Sequence, residues 1–250
     1  MPSSPKTLDL ARAGDVTTVT LNRPEKLNAF SAELVDELQA AVTAAATDGT
    51  RLLVLRGAGK GFSGGFDLDG LEAMTDGDLM LRFIRAEELL QSVYHAPYAT
   101  LALVHGACFG AAADVVAACH WRIAAPGARF RMPGPRFGVV LGTRRLTRLV
   151  GADAARELLL RDAPFDAEIA ARTGFVQRIA PDTAWDEAIA TAHAAATGID
   201  AATYAALTAR HTEDSRDADM AALVRSVASG SIKARITAYI DALKQVKPRA

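Results

Sequence analysis

The sequence contains little cysteine. Its two cysteines, Cys108 and Cys119, both stand among apolar residues. Two cysteines are too few for the disulfide framework of a small secreted domain, and their spacing does not match a metal site. We therefore expect no disulfide and no metal, and we predict a reducing, cytoplasmic location.

The sequence also lacks a strong charge of either sign and a long apolar run. Its formal net charge is −1, which argues against the basic surface that nucleic-acid binding requires. No apolar run approaches the roughly 20 residues that span a bilayer. The first residues, MPSSPKTLDL, have no apolar core of the kind found in signal peptides. We expect no nucleic-acid partner and no membrane partner.

Short apolar strands alternate with amphipathic helices along much of the chain. The alternating segment Val16–Leu21 and the apolar segment Leu52–Leu55 predict strands. Ser31 is a good N-cap for a helix that follows it, and apolar residues recur at helical spacing over Asp78–Tyr94. This alternation is typical of the α/β class.

The last part of the chain is mostly helical, from about Ala184. We predict a core domain over residues 1–195 and a C-terminal helical region over residues 196–250. The helical region has few apolar partners of its own. We therefore expect it to pack on the core or on a neighbouring subunit.

One stretch, Leu101 to Trp121, is central to the sequence. It predicts a buried strand, a tight glycine turn and a helix over Ala111–Cys119, which consists almost entirely of alanine, valine and cysteine. A helix that is apolar on every side is buried. Its one charged residue, Asp114, would cost several kcal/mol there unless it has a partner or faces a cavity. Arg122 and Arg131 are the candidate partners.

Two glycine-rich loops, Gly57–Gly65 and Gly106–Gly110, each follow a buried strand and precede an expected helix. Backbone N–H groups at the start of a helix are unpaired and can hold a negative oxygen. Two converging donors form an oxyanion hole, in which each donor stabilises a transition state by about 2.7–4 kcal/mol. With a carboxylate alongside, such a hole favours proton transfer next to a carbonyl.

Three known motifs do not account for the first loop. GFSGG matches a nucleophile elbow by letter, but Ser63 lies several residues beyond the strand, and Asp114 and His120 share one short segment. A phosphate-binding loop is absent, and the dinucleotide fingerprint fails at Phe62. A purely structural turn stays open for either loop alone.

Several segments, in order, resemble the enoyl-CoA hydratase/isomerase (crotonase) family. FSGGFDL and LVHGACFGAAADVVAACHWRIAA resemble its central segments, and LNRPEKLNAF resembles its N-terminal signature. RFRMPGPRFGVV with GTRRLTRLVG resembles the block that follows. The resemblance covers about residues 16–179, and its strength lies in the order of the set.

The resemblance implies a spiral of ββα units with a C-terminal helical oligomerisation region, assembled as a homotrimer or a dimer of trimers. It implies an acyl-CoA thioester as substrate and no separate cofactor, because coenzyme A is part of that substrate. The backbone N–H groups of Phe66 and Ala111 match the family's oxyanion hole, and Asp114 matches its first catalytic glutamate. The matching substrate-binding residues are Lys26, Leu27, Ala29, Gly64, Gly65, Asp67, Leu68, Gly110 and Gly134.

One departure from the family pattern bears on the reaction, because the second catalytic glutamate falls on Gly134. Water addition is easiest with two carboxylates, whereas one base can take and return a proton and so move a double bond. The sequence therefore predicts an enoyl-CoA hydratase or isomerase with Asp114 as acid and base. A catalytically degenerate acyl-CoA-binding protein and a purely structural oligomer remain open. The sequence does not indicate the length or stereochemistry of the acyl chain.

Other charged residues have simpler interpretations. Asp67 is expected to be a helix N-cap. Some basic residues either contact the phosphates of coenzyme A or lie in surface ion pairs. They are Arg136, Arg144, Arg145, Lys233, Lys244 and Lys247.

Overall fold

A computed structural model describes residues 5–245, which form two β-sheets packed against helices. The α/β class is confirmed, and so are the predicted strands at residues 16–21 and 52–55. The strands are β1 (Leu8–Ala13), β2 (Val16–Leu21), β3 (Leu52–Gly57), β4 (Ala99–Val104), β5 (Ala107–Phe109), β6 (Trp121–Ala124), β7 (Arg129–Arg131), β8 (Phe165–Asp166) and β9 (Arg178–Ile179).

The larger sheet has the strand order β1-β2-β3-β4-β6-β9, and the smaller sheet has the order β5-β7-β8. In the larger sheet β1 and β2 run antiparallel to each other, and every other neighbouring pair is parallel. Strands β3 and β4 lie in its middle with almost every residue buried, as expected for parallel strands covered on both faces. The carboxyl ends of these two strands lead into the two glycine loops.

The helices were largely predicted from their spacing. The helix expected at Asp78 begins two residues earlier, because Thr75 caps it through reciprocal hydrogen bonds with Asp78. The helices are α1 (Ala32–Ala45), α2 (Asp76–Tyr94), α3 (Ala111–Ala118), α4 (Thr143–Val150), α5 (Ala152–Leu160), α6 (Ala167–Arg172), α7 (Trp185–Thr197), α8 (Ala201–His211), α9 (Arg216–Val227) and α10 (Ile232–Gln245).

Helix α3 is the buried centre that the sequence predicts. All eight of its residues are buried, Asp114 included. Its alanines are small enough for β5, α2 and α4 to pack closely around it. The start of α3 is therefore fixed in position, as a binding site built on it requires.

The C-terminal helices pack on the same chain. Leu223 and Val227 of α9 and Ile232 and Ile236 of α10 join a cluster that includes Phe83 of α2. Helix α8, by contrast, has no buried residue. The predicted boundary between residues 195 and 196 lies inside α7, and Lys247 lies outside the described residues.

Between residues 5 and 245, no helix combines the length and the apolar character that crossing a membrane requires.

Candidate functional site

A cavity of about 240 Å³ opens where the two glycine loops meet α10 and the segment after β7. Its wall is mostly apolar. Seven of the site residues predicted from the sequence line it, namely Gly64, Phe66, Leu68, Gly110, Ala111, Asp114 and Gly134. These seven residues, which lie up to 70 positions apart in the sequence (64 to 134), line the same cavity.

The two glycine loops are joined by backbone hydrogen bonds. The N–H of Ser63 donates to the carbonyl of Ala107 at 2.9 Å, and the N–H of Phe109 donates to the carbonyl of Ser63 at 3.0 Å. This short parallel bridge ends just before Phe66 on one loop and Ala111 on the other. The backbone groups of these two residues are therefore held on neighbouring segments.

Gly65 and Gly110 give each loop the backbone conformation that it needs. Both have positive φ, +89° and +54°, which residues with a Cβ rarely adopt. A Cβ on Gly65 would overlap the carbonyl oxygen of Phe109. This close approach brings the two loops together immediately before Phe66 and Ala111.

The N–H groups of Phe66 and Ala111 have no acceptor among residues 5–245. Ala111 is the first residue of α3, where an unpaired N–H is expected. For Phe66 the expected helix start is wrong, because the loop continues to a short 3₁₀ helix at Leu71–Ala73. Its N–H is free because Phe30 pairs with the carbonyl of Gly65 and the N–H of Asp67 instead.

Asp114 reaches the cavity from the first turn of α3. It is only 8% exposed, and its side chain makes no hydrogen bond or ion pair with any described residue. The expected partners are wrong: Arg122 donates to the carbonyls of Phe175 and Cys119, and Arg131 lies over the ring of Tyr239. Asp114 therefore faces the cavity, the other outcome that the sequence allowed.

The surroundings of Asp114 favour its neutral form. Burial raises its pKa from 3.8 to about 8, the charge of Arg145 acts in the opposite direction, and the charge of Glu87 adds to the rise. Arg145 and Glu87 form a buried ion pair with side chains 2% and 1% exposed. Because Glu87 offsets part of the effect of Arg145, burial dominates the pKa of Asp114. A titrating carboxyl in a cavity is a typical catalytic feature.

Gly142 shapes the wall beside Asp114. It has a φ of +65° and precedes α4. A Cβ on Gly142 would lie 2.5 Å from Oδ1 of Asp114. Glycine at this position therefore leaves room for the carboxyl, a role that sequence reasoning missed.

The loop that contains Lys26, Leu27 and Ala29 lies beside the first glycine loop, although these three residues, Gly65 and Asp67 do not themselves line the cavity. The N–H of Gly64 donates to the carbonyl of Leu27 at 2.7 Å. Lys26 is exposed and pairs with Asp69 at 2.6 Å. Within this group Leu27 has a positive φ of 49°, so the loop around Lys26 turns sharply against the first glycine loop.

Asp67 and Ala29 meet at a single guanidinium. Arg23 donates to Asp67 at 2.8 Å and to the carbonyl of Ala29 at 2.6 Å. The expected N-cap role of Asp67 is wrong, since its other oxygen accepts from the N–H of Asp69 and no helix begins there. Through Arg23, Asp67 instead joins the segment after the first glycine loop to the loop that precedes α1.

The serine-hydrolase alternative is excluded by the environment of Ser63. Its side chain is completely buried, donates to the carbonyl of Asn28 at 2.7 Å and accepts from the N–H of Gly65 at 3.0 Å. His120, with its pKa lowered to about 4 by burial, lies beside Thr100 on β4 rather than near Ser63. Ser63 is a structural residue that holds Gly65.

The basic residues considered as phosphate contacts are already engaged. Lys233 donates to the carbonyls of Glu72 and Met74. The others within residues 5–245 lie in ion pairs, namely Arg136–Asp162, Arg144–Asp219, Arg145–Glu87 and Lys244–Asp241.

Comparisons with known proteins point to one family. The family model described as enoyl-CoA hydratase/isomerase matches residues 11–245. A Mycobacterium bovis protein named as a probable enoyl-CoA hydratase is 35% identical over 189 residues, which cover 73% of this chain and 76% of that protein. A Dictyostelium discoideum protein named as a mitochondrial Delta(3,5)-Delta(2,4)-dienoyl-CoA isomerase is 29% identical over 67% of this chain and 62% of its own length.

A solved structure extends the similarity to the whole fold. The Bordetella parapertussis protein, which carries the provisional name enoyl-CoA hydratase/isomerase, is 49% identical to this chain. It has a TM-score of 0.92 and covers 94% of this chain and 98% of its own length. The crotonase-like fold expected from the sequence is thereby confirmed. The chain belongs to the enoyl-CoA hydratase/isomerase family.

Proposed function

We propose that this chain is an enoyl-CoA isomerase that moves a carbon–carbon double bond along an acyl-CoA thioester. The observation that carries this proposal is the single carboxylate: among the described residues that line the cavity, Asp114 is the only one. Moving a double bond needs one group that takes a proton and returns it, whereas adding water is easiest with two. At the position that matches the family's second catalytic glutamate, Gly134 offers no side chain.

The chemistry uses the backbone donors together with Asp114. Ionised Asp114 removes a proton from the carbon next to the thioester carbonyl of a 3-enoyl-CoA. Negative charge develops on the thioester oxygen, and the N–H groups of Phe66 and Ala111 bind it as an oxyanion hole. Protonated Asp114 then returns the proton two carbons further along the chain, which gives the 2-enoyl-CoA.

We assign Lys26, Leu27, Ala29 and Asp67 to the binding of the coenzyme A portion. The first three lie in the loop between β2 and α1, and Asp67 follows the first glycine loop. Leu68 lines the cavity and is 36% exposed. We also propose a homotrimer or dimer of trimers, which is supported by exposed Leu207 on α8, a helix without buried residues. The cytoplasmic location, the absence of a cofactor and the domain boundary stay predictions.

Assays with a 3-enoyl-CoA and with a 2-enoyl-CoA test the proposal. The protein should form 2-enoyl-CoA from the first thioester and should form 3-hydroxyacyl-CoA from the second far more slowly. Asp114→Asn should lower the isomerisation rate by about 10²–10⁴-fold, the usual contribution of a general acid–base group, and should leave acyl-CoA affinity nearly unchanged. Hydration faster than isomerisation would contradict the proposal.

A second candidate is an acyl-CoA-binding protein that performs no chemistry. It is favoured by the raised pKa of Asp114, about 8, which leaves most of this carboxyl protonated at neutral pH, and by Gly134. Micromolar binding of acyl-CoA with no turnover of 2-enoyl or 3-enoyl thioesters, even above pH 8, would support it over the isomerase.

A further inference from the structure

Arg131 is a cation in a mostly apolar cavity wall. It is half-buried, and it is the one positively charged residue among the described residues that line the cavity. Arg131 makes no hydrogen bond or ion pair with Asp114, the partner expected from the sequence. The role of its charge is therefore not explained by the protein itself.

The backbone places Arg131 close to the proposed oxyanion hole. On β7 it is paired with Phe109 of β5, and its carbonyl accepts from the N–H of Gly110 at 2.7 Å. Its guanidinium lies 5.9 Å from the centre of the Tyr239 ring. Both Arg131 and Tyr239 line the cavity, so this aromatic contact from α10 lies in the cavity wall.

Neighbouring arginines have carboxylate partners, whereas Arg131 has none in the described part of the chain. Arg129, two residues earlier on the same strand, lies 3.7 Å from Asp166. Arg136, five residues later, lies 2.5 Å from Asp162. The side chain of Arg131 makes no hydrogen bond and no ion pair between residues 5 and 245. Its five N–H donors are therefore available to a molecule in the cavity.

We propose that the acyl group of the substrate carries a carboxylate remote from the thioester and that Arg131 binds it. This inference rests on the proposed function, because it assumes that the cavity takes an acyl-CoA. A guanidinium binds a carboxylate through two parallel hydrogen bonds. An uncharged acyl chain would cover Arg131 and leave its donors unpaired. The substrate class is the CoA monothioester of an unsaturated dicarboxylic acid.

Binding of two saturated thioesters tests the charge without requiring turnover. Hexanoyl-CoA and adipyl-CoA have acyl chains of equal length and differ in the terminal carboxylate. Calorimetry should show adipyl-CoA binding about 10–100-fold more tightly, the range expected for hydrogen bonds to charged groups. Arg131→Met should remove this preference by weakening adipyl-CoA alone, and Arg131→Lys should retain part of it.

Arg129→Met is the matched control, since Arg129 is exposed on the same strand. It should leave both affinities unchanged. Unchanged binding of hexanoyl-CoA by Arg131→Met shows that this variant is folded. Equal affinity of the parent protein for both thioesters would overturn the inference. An equal loss for both in Arg131→Met would overturn it too, because Arg131 would then bind the coenzyme A portion.

The outcome is separable from that of the proposed function. If adipyl-CoA binds more tightly through Arg131 but no unsaturated thioester is isomerised, the inference stands and the isomerase proposal fails. If 3-hexenoyl-CoA is isomerised and both saturated thioesters bind equally, the isomerase proposal stands and the inference fails.

Discussion

Replacing Asp114 by asparagine should make the protein more stable while it lowers the isomerisation rate by about 10²–10⁴-fold. Asparagine has the shape of the carboxyl group and cannot ionise. The Asp114 side chain makes no hydrogen bond within the described residues, so the substitution removes no bond. What it removes is the cost of keeping a titrating group in a buried position.

The size of the gain follows from the pKa of Asp114. Burial raises this pKa from 3.8 to about 8, so between these values the folded state holds a proton that the unfolded state has lost. The folded protein therefore loses stability as pH rises through this window. At about 1.4 kcal/mol per pH unit, the loss relative to acid pH reaches about 4 kcal/mol at pH 7. Asp114→Asn should recover up to that amount.

Urea unfolding of both proteins at pH 4 and pH 7 measures the effect. The variant should gain about 2–4 kcal/mol at pH 7 and close to nothing at pH 4. The control is Asp241→Asn, at an exposed position on α10, which should change stability by less than about 0.5 kcal/mol at both pH values. A gain of the same size at pH 4 and pH 7, or no gain at pH 7, would show that the buried Asp114 carboxyl does not lower stability through its raised pKa.

Further outcomes follow from the same structure. The kcat/KM for isomerisation should rise with pH and level off above about pH 8, because only ionised Asp114 takes a proton; a flat profile from pH 6 to 9 would contradict this role. Arg145→Gln should lower the free energy of unfolding by about 3–5 kcal/mol in urea, because it leaves Glu87 buried without its partner; a loss below about 1 kcal/mol would show that the pair is dispensable. Gly142→Ala and Gly230→Ala both strain a positive φ, but only the first crowds Asp114, so only the first should lose turnover; equal kcat values in the two variants would argue against that crowding.

The sequence predicts the elements whose own residues determine them. The buried run in β3, the capped start of α1 and the apolar helix α3 are examples. Strands β8 and β9 have two residues each, so local patterning cannot reveal them. They form because β8 pairs with the edge of β7 and β9 pairs with the edge of β6. The edge strand β1 was missed because only Leu8 of its residues is buried.

The candidate site shows the same division between local and tertiary information. Asp114 stands out because it is a lone charge in an apolar helix, and the glycines indicate loops in unusual conformations. The Phe175 carbonyl that Arg122 contacts and the Tyr239 ring beside Arg131 lie instead on distant segments. Tyr239 lies more than 100 residues after Arg131, and no local pattern links the two. The free N–H of Phe66 likewise follows from its bridge with Phe30, not from a helix start.

A crystal structure with bound hexanoyl-CoA shows whether Phe66, Ala111 and Asp114 form the proposed catalytic site. We expect the thioester oxygen within about 2.7–3.1 Å of the backbone nitrogens of both Phe66 and Ala111, with the Asp114 carboxyl beside the first carbons of the acyl chain. A thioester oxygen bound away from these two nitrogens, or an acyl chain outside the cavity, would contradict it.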